Sequence, residues 1–210
     1  KTPSYALLEA TGLGSAVLGK SASTGNRSLE SIYIFNLDNT NVAGGLIHNF
    51  YGTVAGNYDL CFDAGDTPAV GTFVIVDVCT STRVMQRFSY RNDYTLVLNN
   101  SLTKTDPVGL CIATTGTSGA DLILKACSTS AYQKWGFDSN AHFKSAGGLC
   151  IKIKNDNTLK SRLIADTATC GYAYSRQWAW APEAKVGAGN AGLSQSQLVN
   201  YKEFGRCFDV

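Results

Sequence analysis

The sequence predicts an all-β protein in which one disulfide-closed unit is repeated three times around a pseudo-threefold axis. Seven cysteines lie at alternating short and long intervals, and the same short motifs recur in the same order around three of the short intervals. Only 16% of the residues are charged, against about 25% in an average protein, and glycine occurs 21 times. Short apolar runs bounded by Gly, Asn, Asp and Ser are typical of strands about five residues long.

The cysteines indicate an oxidised framework. Pairing across the short intervals closes three local loops: Cys61 to Cys79, Cys111 to Cys127 and Cys150 to Cys170. Cys207 is then left without a partner. No CxxC motif is present, so the usual ligand spacing of a zinc knuckle or a thioredoxin-like redox site is missing. Regular cysteine spacing favours a secreted or cell-surface protein over one with reduced cysteines in a cytosolic core.

Each loop carries the same motifs: a Leu-Cys opening, an apolar run, the second cysteine, and a glutamine next to an aromatic residue. In chain order these are Leu60-Cys61, the run 73–76 and Gln86-Arg87-Phe88; Leu110-Cys111, the run 122–124 and Gln133-Lys134-Trp135; and Leu149-Cys150, the run 163–165 and Gln177-Trp178. A further aromatic residue follows each triplet: Tyr90, Phe137 and Trp180.

A single unit of this size cannot bury its own apolar face. Two-place spacing, as between Trp135 and Phe137, puts both side chains on one face of a strand. Three units around one axis can bury these faces against each other, and closing the strands into a barrel removes exposed sheet edges. We therefore expect Phe88, Trp135 and Trp178 to meet in a shared core.

The Q-x-W triplets, the Leu-Cys openings and the cysteine pairs within each repeat resemble those of the ricin B-type β-trefoil lectins. The resemblance covers residues 57–182, and the first repeat departs from it with Phe88 where the family has Trp. It implies a β-trefoil fold and a carbohydrate-binding role. The family binds sugar through an Asp two residues after the first cysteine, a ring just before the second cysteine, and an Asn before the triplet's Gln.

Most of these sugar-binding positions are occupied by other residue types. Only Asp63, with Gln86, survives, and both are the candidate carbohydrate ligands of the trefoil. A carboxylate suits this role because it accepts hydrogen bonds from sugar hydroxyls. Asp63 is equally suited to a turn that bonds its own backbone, and the triplet glutamines to a role in the core. The replacements are Asp77 and Met85 in the first repeat, Ala113, Lys125 and Tyr132 in the second, and Lys152, Ala168 and Arg176 in the third.

The two ends lie outside the repeats. Residues 1–56 form a β-rich extension, with strands expected at 5–9 and 31–37, that should pack on the trefoil or on a neighbouring chain. Residues 183–210 begin as a linker rich in Ala, Gly, Ser and Gln. The segment 205–210 then resembles the opening of a fourth repeat, with Asp209 as a further candidate ligand. This pattern favours a longer parent chain over a stub that pairs with another molecule through Cys207.

Little in the sequence indicates catalysis. His48 and His142 are the two histidines, and neither lies in a metal-ligand spacing or near an evident nucleophile. We predict no enzyme activity, no metal and no cofactor. The formal charge of +2 is scattered, which disfavours nucleic acid as a partner, and no apolar stretch is long enough to cross a membrane.

Two functions remain open at this point. The first is a secreted carbohydrate-binding module, lectin-like, with a largely eroded sugar site and a glycan or cell-surface carbohydrate as partner. The second is an extracellular assembly protein, such as a surface fibre or pilus-like subunit, whose partners are copies of itself. Asn26 and Asn99 fit the N-glycosylation pattern, which matters only in a host with that machinery.

Overall fold

Strands and short turns make up the regular structure of the chain in its computed structural model. The structure describes residues 15–17, 32–35, 44–50, 59–91, 93–103, 105–138, 140–156, 158–167, 170, 177–187 and 199–200. Within these residues no helix is long and apolar enough to cross a membrane.

Sixteen strands lie in the described residues, most of them three or four residues long. They are β1 (Ser15–Val17), β2 (Ile32–Phe35), β3 (Ile47–Asn49), β4 (Leu60–Asp63), β5 (Ile75–Val78), β6 (Phe88–Tyr90), β7 (Leu96–Leu98), β8 (Leu110–Ala113), β9 (Ala120–Asp121), β10 (Ile123–Ala126), β11 (Trp135–Phe137), β12 (Phe143–Ser145), β13 (Cys150–Ile153), β14 (Leu163–Asp166), β15 (Trp180–Pro182) and β16 (Val199–Asn200). All the pairings between these strands are antiparallel.

One four-strand unit recurs three times. The units are β4, β5, β6 and β7; β8, β10, β11 and β12; and β13, β14, β15 and β3. In each unit the first strand carries the first cysteine and pairs with the second strand. The three predicted disulfides are confirmed, since Cys61 is bonded to Cys79, Cys111 to Cys127 and Cys150 to Cys170. This arrangement is the predicted β-trefoil.

The third unit is completed by a strand from the beginning of the chain. Strand β3 pairs with β15 on one side and with β4 on the other, so it joins the last unit to the first. It lies within residues 1–56, which the sequence assigned to an extension that packs on the trefoil or on a neighbouring chain. The strand is part of the trefoil itself, where it occupies the place that β7 and β12 occupy in the other units.

Large rings from all three units meet in one core, as predicted. Phe88, Trp135 and Trp180 each begin the third strand of a unit, and each is fully buried. Phe62 of the first unit meets both other units, because its ring lies 6.3 Å from that of Phe143 and 4.5 Å from that of Trp180. The Tyr90 hydroxyl donates a hydrogen bond to the Trp135 carbonyl oxygen at 2.6 Å. The shared core therefore consists of packed rings whose polar atoms are satisfied.

The prediction of Trp178 as the core ring of the third unit was wrong by two residues. The indole nitrogen of Trp135 donates to the Ile112 carbonyl oxygen at 3.0 Å, and that of Trp180 donates to Ile151 at 3.1 Å. Trp180 is thus the equivalent of Trp135. Trp178 instead packs against the disulfide between Cys150 and Cys170, outside the main core. The error arose because the third unit has two tryptophans and a glutamine in four residues, so the triplet can be aligned in two ways.

A separate three-stranded sheet contains β1, β2 and β16 in the order β1-β2-β16. Strand β2 (Ile32–Phe35) lies inside the segment 31–37 that was predicted to be a strand. The strand predicted at 5–9 lies outside the described residues. The backbone of this sheet joins segments from the beginning and the end of the chain.

Candidate functional site

The three units have equivalent positions around the predicted sugar site, and backbone hydrogen bonds identify them. The amide of Ala64 donates to the Met85 carbonyl oxygen, that of Thr114 to Tyr132, and that of Ile153 to Gln177. The residue that precedes the family glutamine is therefore Met85, Tyr132 or Gln177. In the third unit this residue is Gln177, and the prediction of Arg176 was wrong.

The carboxylate of Asp63 is fully buried and forms an ion pair with Arg83. Nε of Arg83 donates to Oδ2 of Asp63 at 2.5 Å, and Nη2 of Arg83 donates to Oδ1 at 3.1 Å. The backbone N–H of Gly65 also donates to Oδ1, at 2.7 Å, which is the turn interaction that the sequence had left open. Asp63 therefore has the position of a sugar ligand but its hydrogen-bonding capacity is used inside the protein.

Arg83 is held between Asp63 and a second carboxylate. Its Nη2 also donates to Oδ1 of Asp66 at 2.9 Å, and Asp66 is exposed. The hydrogen bond to Asp63, followed by that to Asp66, raises the pKa of Arg83, while the hydrogen bond from Arg83 lowers the pKa of Asp66. No short-range pattern links Arg83 to Asp63, which lies 20 residues away, and the sequence reasoning missed it.

Gln86 is fully buried and holds two backbone groups of its own unit. Its Oε1 accepts from the amide of Thr80 at 2.8 Å, and its Nε2 donates to the Val78 carbonyl oxygen at 2.9 Å. Gln133 makes the same pair of bonds in the second unit, to Ser128 and Ala126. Both ends of the amide are satisfied, so this glutamine fastens the segment after the second strand to the strand that follows.

In the third unit, a tryptophan ring takes the place of this buried glutamine amide. Trp178 occupies the position of Gln86 and Gln133, one residue after the position of Met85 and Tyr132. The Nζ of Lys152 lies 4.7 Å from the centre of the Trp178 ring, which is a cation–π distance. The spacing from Trp178 to Trp180 equals that from Gln133 to Trp135. This equal spacing is the signal that could have revealed the replacement.

The positions predicted for the other sugar contacts carry unsuitable side chains. Ala113 and Lys152 stand at the place of Asp63 in the other units. Strand register puts Asp77, Lys125 and Asp166 opposite the first cysteines. Asp166 therefore takes the place that the sequence gave to Ala168, which lies outside the described residues. Lys152 reaches Asp166, with Nζ and Oδ2 3.3 Å apart, and a hydrogen bond from Ser118 lowers the pKa of Asp166.

The remaining candidates are two residues at the end of the chain and the two glycosylation positions. Asp209, proposed as a ligand of a fourth repeat, and Cys207, predicted to be unpaired, lie outside the described residues, as does Asn26. Asn99 is described, and its Oδ1 accepts a hydrogen bond from the Ser89 hydroxyl at 2.6 Å. This glycosylation candidate is therefore engaged within the fold.

His48, in strand β3, lies between two acidic side chains. Its Nδ1 is 2.6 Å from Oδ2 of Asp59, and its Nε2 is 3.5 Å from Oε1 of Glu183. The hydrogen bond with Asp59 is the largest cause of a raised pKa at His48, and Glu183 adds to it. Side-chain atoms of Cys61 and Cys79 lie within 4.8 Å of the imidazole, but both sulfurs are in a disulfide and offer no thiolate to a metal.

The family assignment can now be made. A model of the Ricin-type beta-trefoil lectin domain matches residues 50–178, which contain all three disulfide loops. The chain belongs to this family. The family assignment inferred from the Q-x-W triplets and cysteine pairs is therefore confirmed, along with the trefoil.

Two solved structures resemble the fold of this family member. The agglutinin of Abrus precatorius is 21% identical with a TM-score of 0.51, and the match covers 71% of this chain and 49% of that one. The mdaA-1 domain is 15% identical with a TM-score of 0.50, and the match covers 64% of this chain and 85% of that one. The chain thus spans about half the length of the agglutinin chain. No curated protein matches the sequence.

Proposed function

We propose that this ricin-type trefoil is a secreted carbohydrate-binding module without catalytic activity, in which the family sugar site is largely lost. Membership of the lectin domain family carries the carbohydrate-binding part of the proposal. The three disulfides support secretion, because such bonds persist in oxidising compartments. The likeness to the Abrus precatorius agglutinin, at 21% identity, supports the fold alone.

The loss of the family site is supported by the state of its first repeat. Asp63 is the carboxylate in the right position, and Arg83 and the Gly65 amide already bind it. A sugar hydroxyl would have to displace the arginine and leave a charge unpaired in a buried site, which is costly. In the other two units Ala113 and Lys152 cannot accept hydrogen bonds from a hydroxyl.

A panel of immobilised oligosaccharides tests both parts of this proposal. We expect the wild-type protein to bind at least one oligosaccharide in the panel, and free oligosaccharide to compete with it. Asp63→Asn removes the charge and keeps the shape, and we expect it to bind within about twofold of the wild type. Loss of binding in a folded Asp63→Asn protein would show that the family site still works. A wild-type protein that binds nothing would remove the carbohydrate function.

An assembly role is the second candidate, and the same replaced residues favour it. A trefoil that has lost its sugar contacts can serve as a scaffold whose partners are further copies of the chain. Size-exclusion chromatography and electron microscopy of the wild-type protein distinguish the two roles. Ordered polymers without glycan binding would favour the scaffold, whereas a monomer that binds glycan would exclude it.

A further inference from the structure

A groove of about 350 Å³ lies on the second unit, away from the positions of the family sugar site. One wall is the turn between β6 and β7, the floor is the outer face of β11, and the other wall is β12 and the residue after it. The lining residues are Tyr94, Lys134, Gly136, Phe137, Asp138, Lys144, Ser145 and Ala146. The groove is predominantly apolar, and charged groups stand at its edges.

The floor is open because two side chains of the first unit are missing from the second. Strand register makes Gly136 the equivalent of Ser89, and Ala146 follows β12 as Asn99 follows β7. In the first unit the Ser89 hydroxyl donates to Oδ1 of Asn99 at 2.6 Å, so these side chains meet across the floor. Glycine and alanine cannot make such a bridge, and the space remains free.

Nothing in the backbone requires a glycine at position 136. Its φ angle is not in the left-handed region, and a Cβ built there would meet only the Lys144 carbonyl oxygen, at 3.7 Å, an ordinary contact distance. A larger side chain would therefore fit the strand and fill the groove. The effect of Gly136 in the described structure is to keep the floor of the groove open.

Tyr94 forms a wall of the groove from an unusual backbone conformation. Its φ is +67°, and the equivalent Ala141 in the next hairpin has φ +65°. Both turns have the same backbone hydrogen bond. The amide of Tyr94 donates to the Arg91 carbonyl oxygen, and the amide of Ala141 donates to that of Asp138. Alanine makes this turn as well as tyrosine does, so the turn does not require the ring. The Tyr94 residue is 40% exposed and lies beside the open floor.

The edges of the groove supply hydrogen-bond donors. The Nζ of Lys134 lies 2.7 Å from Oδ2 of Asp93, which fixes its position and occupies one of its three protons. Lys144 is exposed on the opposite wall, where it pairs across the strands with Gly136. An apolar surface with an aromatic ring, between two walls that carry amine donors, is complementary to a molecule with one apolar face and several hydroxyl groups.

We infer that this groove binds a pyranose ring of an oligosaccharide, with the apolar C–H face of the sugar on Tyr94 and its hydroxyls on the amines of Lys134 and Lys144. The inference rests on the proposed carbohydrate-binding function and gives it a location that is independent of Asp63. It also explains how a member of the lectin family keeps its function after the family site is filled by Arg83.

Two variants test the groove, with one matched control. Tyr94→Ala removes the wall, and Gly136→Val fills the floor at a position where a Cβ has room. Tyr132→Ala is the control, because Tyr132 is an exposed tyrosine of the same unit, at the old family site and outside the groove. Dissociation constants are measured for the best oligosaccharide of the panel, and thermal unfolding shows that each variant is folded.

The outcomes separate the groove from the function. We expect affinity to fall at least about tenfold in Tyr94→Ala and in Gly136→Val, which corresponds to about 1.4 kcal/mol, and to stay within about twofold in Tyr132→Ala. Wild-type binding that survives in both groove variants, or that is lost only in Tyr132→Ala, overturns the groove and leaves the function standing. Absence of wild-type binding overturns both.

Discussion

Asp63 and Trp178 show how single residues in this trefoil keep their place in the repeat while they change their role. Asp63 occupies the position of the family carboxylate and has become the partner of Arg83. Trp178 occupies the position of a buried glutamine and has become a packing residue of the third disulfide. The sequence motif predicted the position of Asp63, but it aligned Trp178 with Trp135 instead of with Gln133. It could not predict the roles, because these depend on side chains that are distant in sequence.

The two tryptophans of the third unit should differ in their effect on stability. We expect Trp180→Ala to lower the free energy of unfolding by about 3–5 kcal/mol, as we expect for Trp135→Ala, because both rings are fully buried in the shared core. Trp178→Ala should cost less, because its ring lies outside that core. Urea denaturation measures these differences. A larger loss at Trp178 than at Trp180 would contradict the assignment of the core ring.

At the scale of elements, strand β3 is the one that the repeat pattern could not reveal. The cysteines, the Leu-Cys openings and the triplets mark the first three strands of each unit, and these were predictable from spacing alone. The fourth strand of a unit carries no such motif, as Leu96–Leu98 and Ile47–Asn49 show. Strand β3 is also separated from the rest of its unit by the whole trefoil, so it was assigned to an extension.

Through His48, the attachment of β3 should depend on pH. Its pKa is raised by Asp59 and Glu183, so the protonated imidazole is bound more strongly in the folded than in the unfolded protein. This stabilisation is fully present below the ordinary pKa of about 6.5 and is lost as pH rises through the higher pKa of the folded state. We expect the denaturation midpoint to fall over this interval.

His48→Gln is the variant that checks this pH dependence. Glutamine does not titrate, so the fall in the denaturation midpoint above pH of about 6.5 should become smaller in the variant. Asp59→Asn should have the same effect, because Asp59 is the main cause of the raised pKa. Equal pH profiles for the wild type and both variants would show that this cluster does not contribute.

For the whole molecule, the three disulfides act within units, and the strands and the core hold the units together. Each bond closes a loop of 16 to 20 residues inside a single unit. The overall architecture was predictable because this pattern occurs three times with the same motifs. The candidate groove was not, because it depends on small residues at Gly136 and Ala146 that are meaningful only beside Ser89 and Asn99.

Removal of one disulfide should weaken the trefoil without abolishing it. We expect the double substitution Cys111→Ala and Cys127→Ala to lower the free energy of unfolding by about 3 kcal/mol, through the greater freedom of the unfolded chain. Denaturation of the oxidised protein measures the loss. Peptide mapping without reduction is the control and should still find Cys61 joined to Cys79 and Cys150 to Cys170. Exchanged pairs in the map would contradict independent loops.

The long sequence separation between strand β3 and its partner β15 has a consequence for synthesis on the ribosome. The side chain of Asn49 donates to the carbonyl oxygen of Ala179, 130 residues further along the chain. Strand β3 can pair with β4 as soon as that strand is made, but its other edge stays open until β15, near the end of the trefoil, has been translated. Contacts over such distances slow folding. A nascent chain that is stalled before Trp180 emerges would therefore contain two complete units and an unfinished third one, in which the free edge of β3 is available to a chaperone.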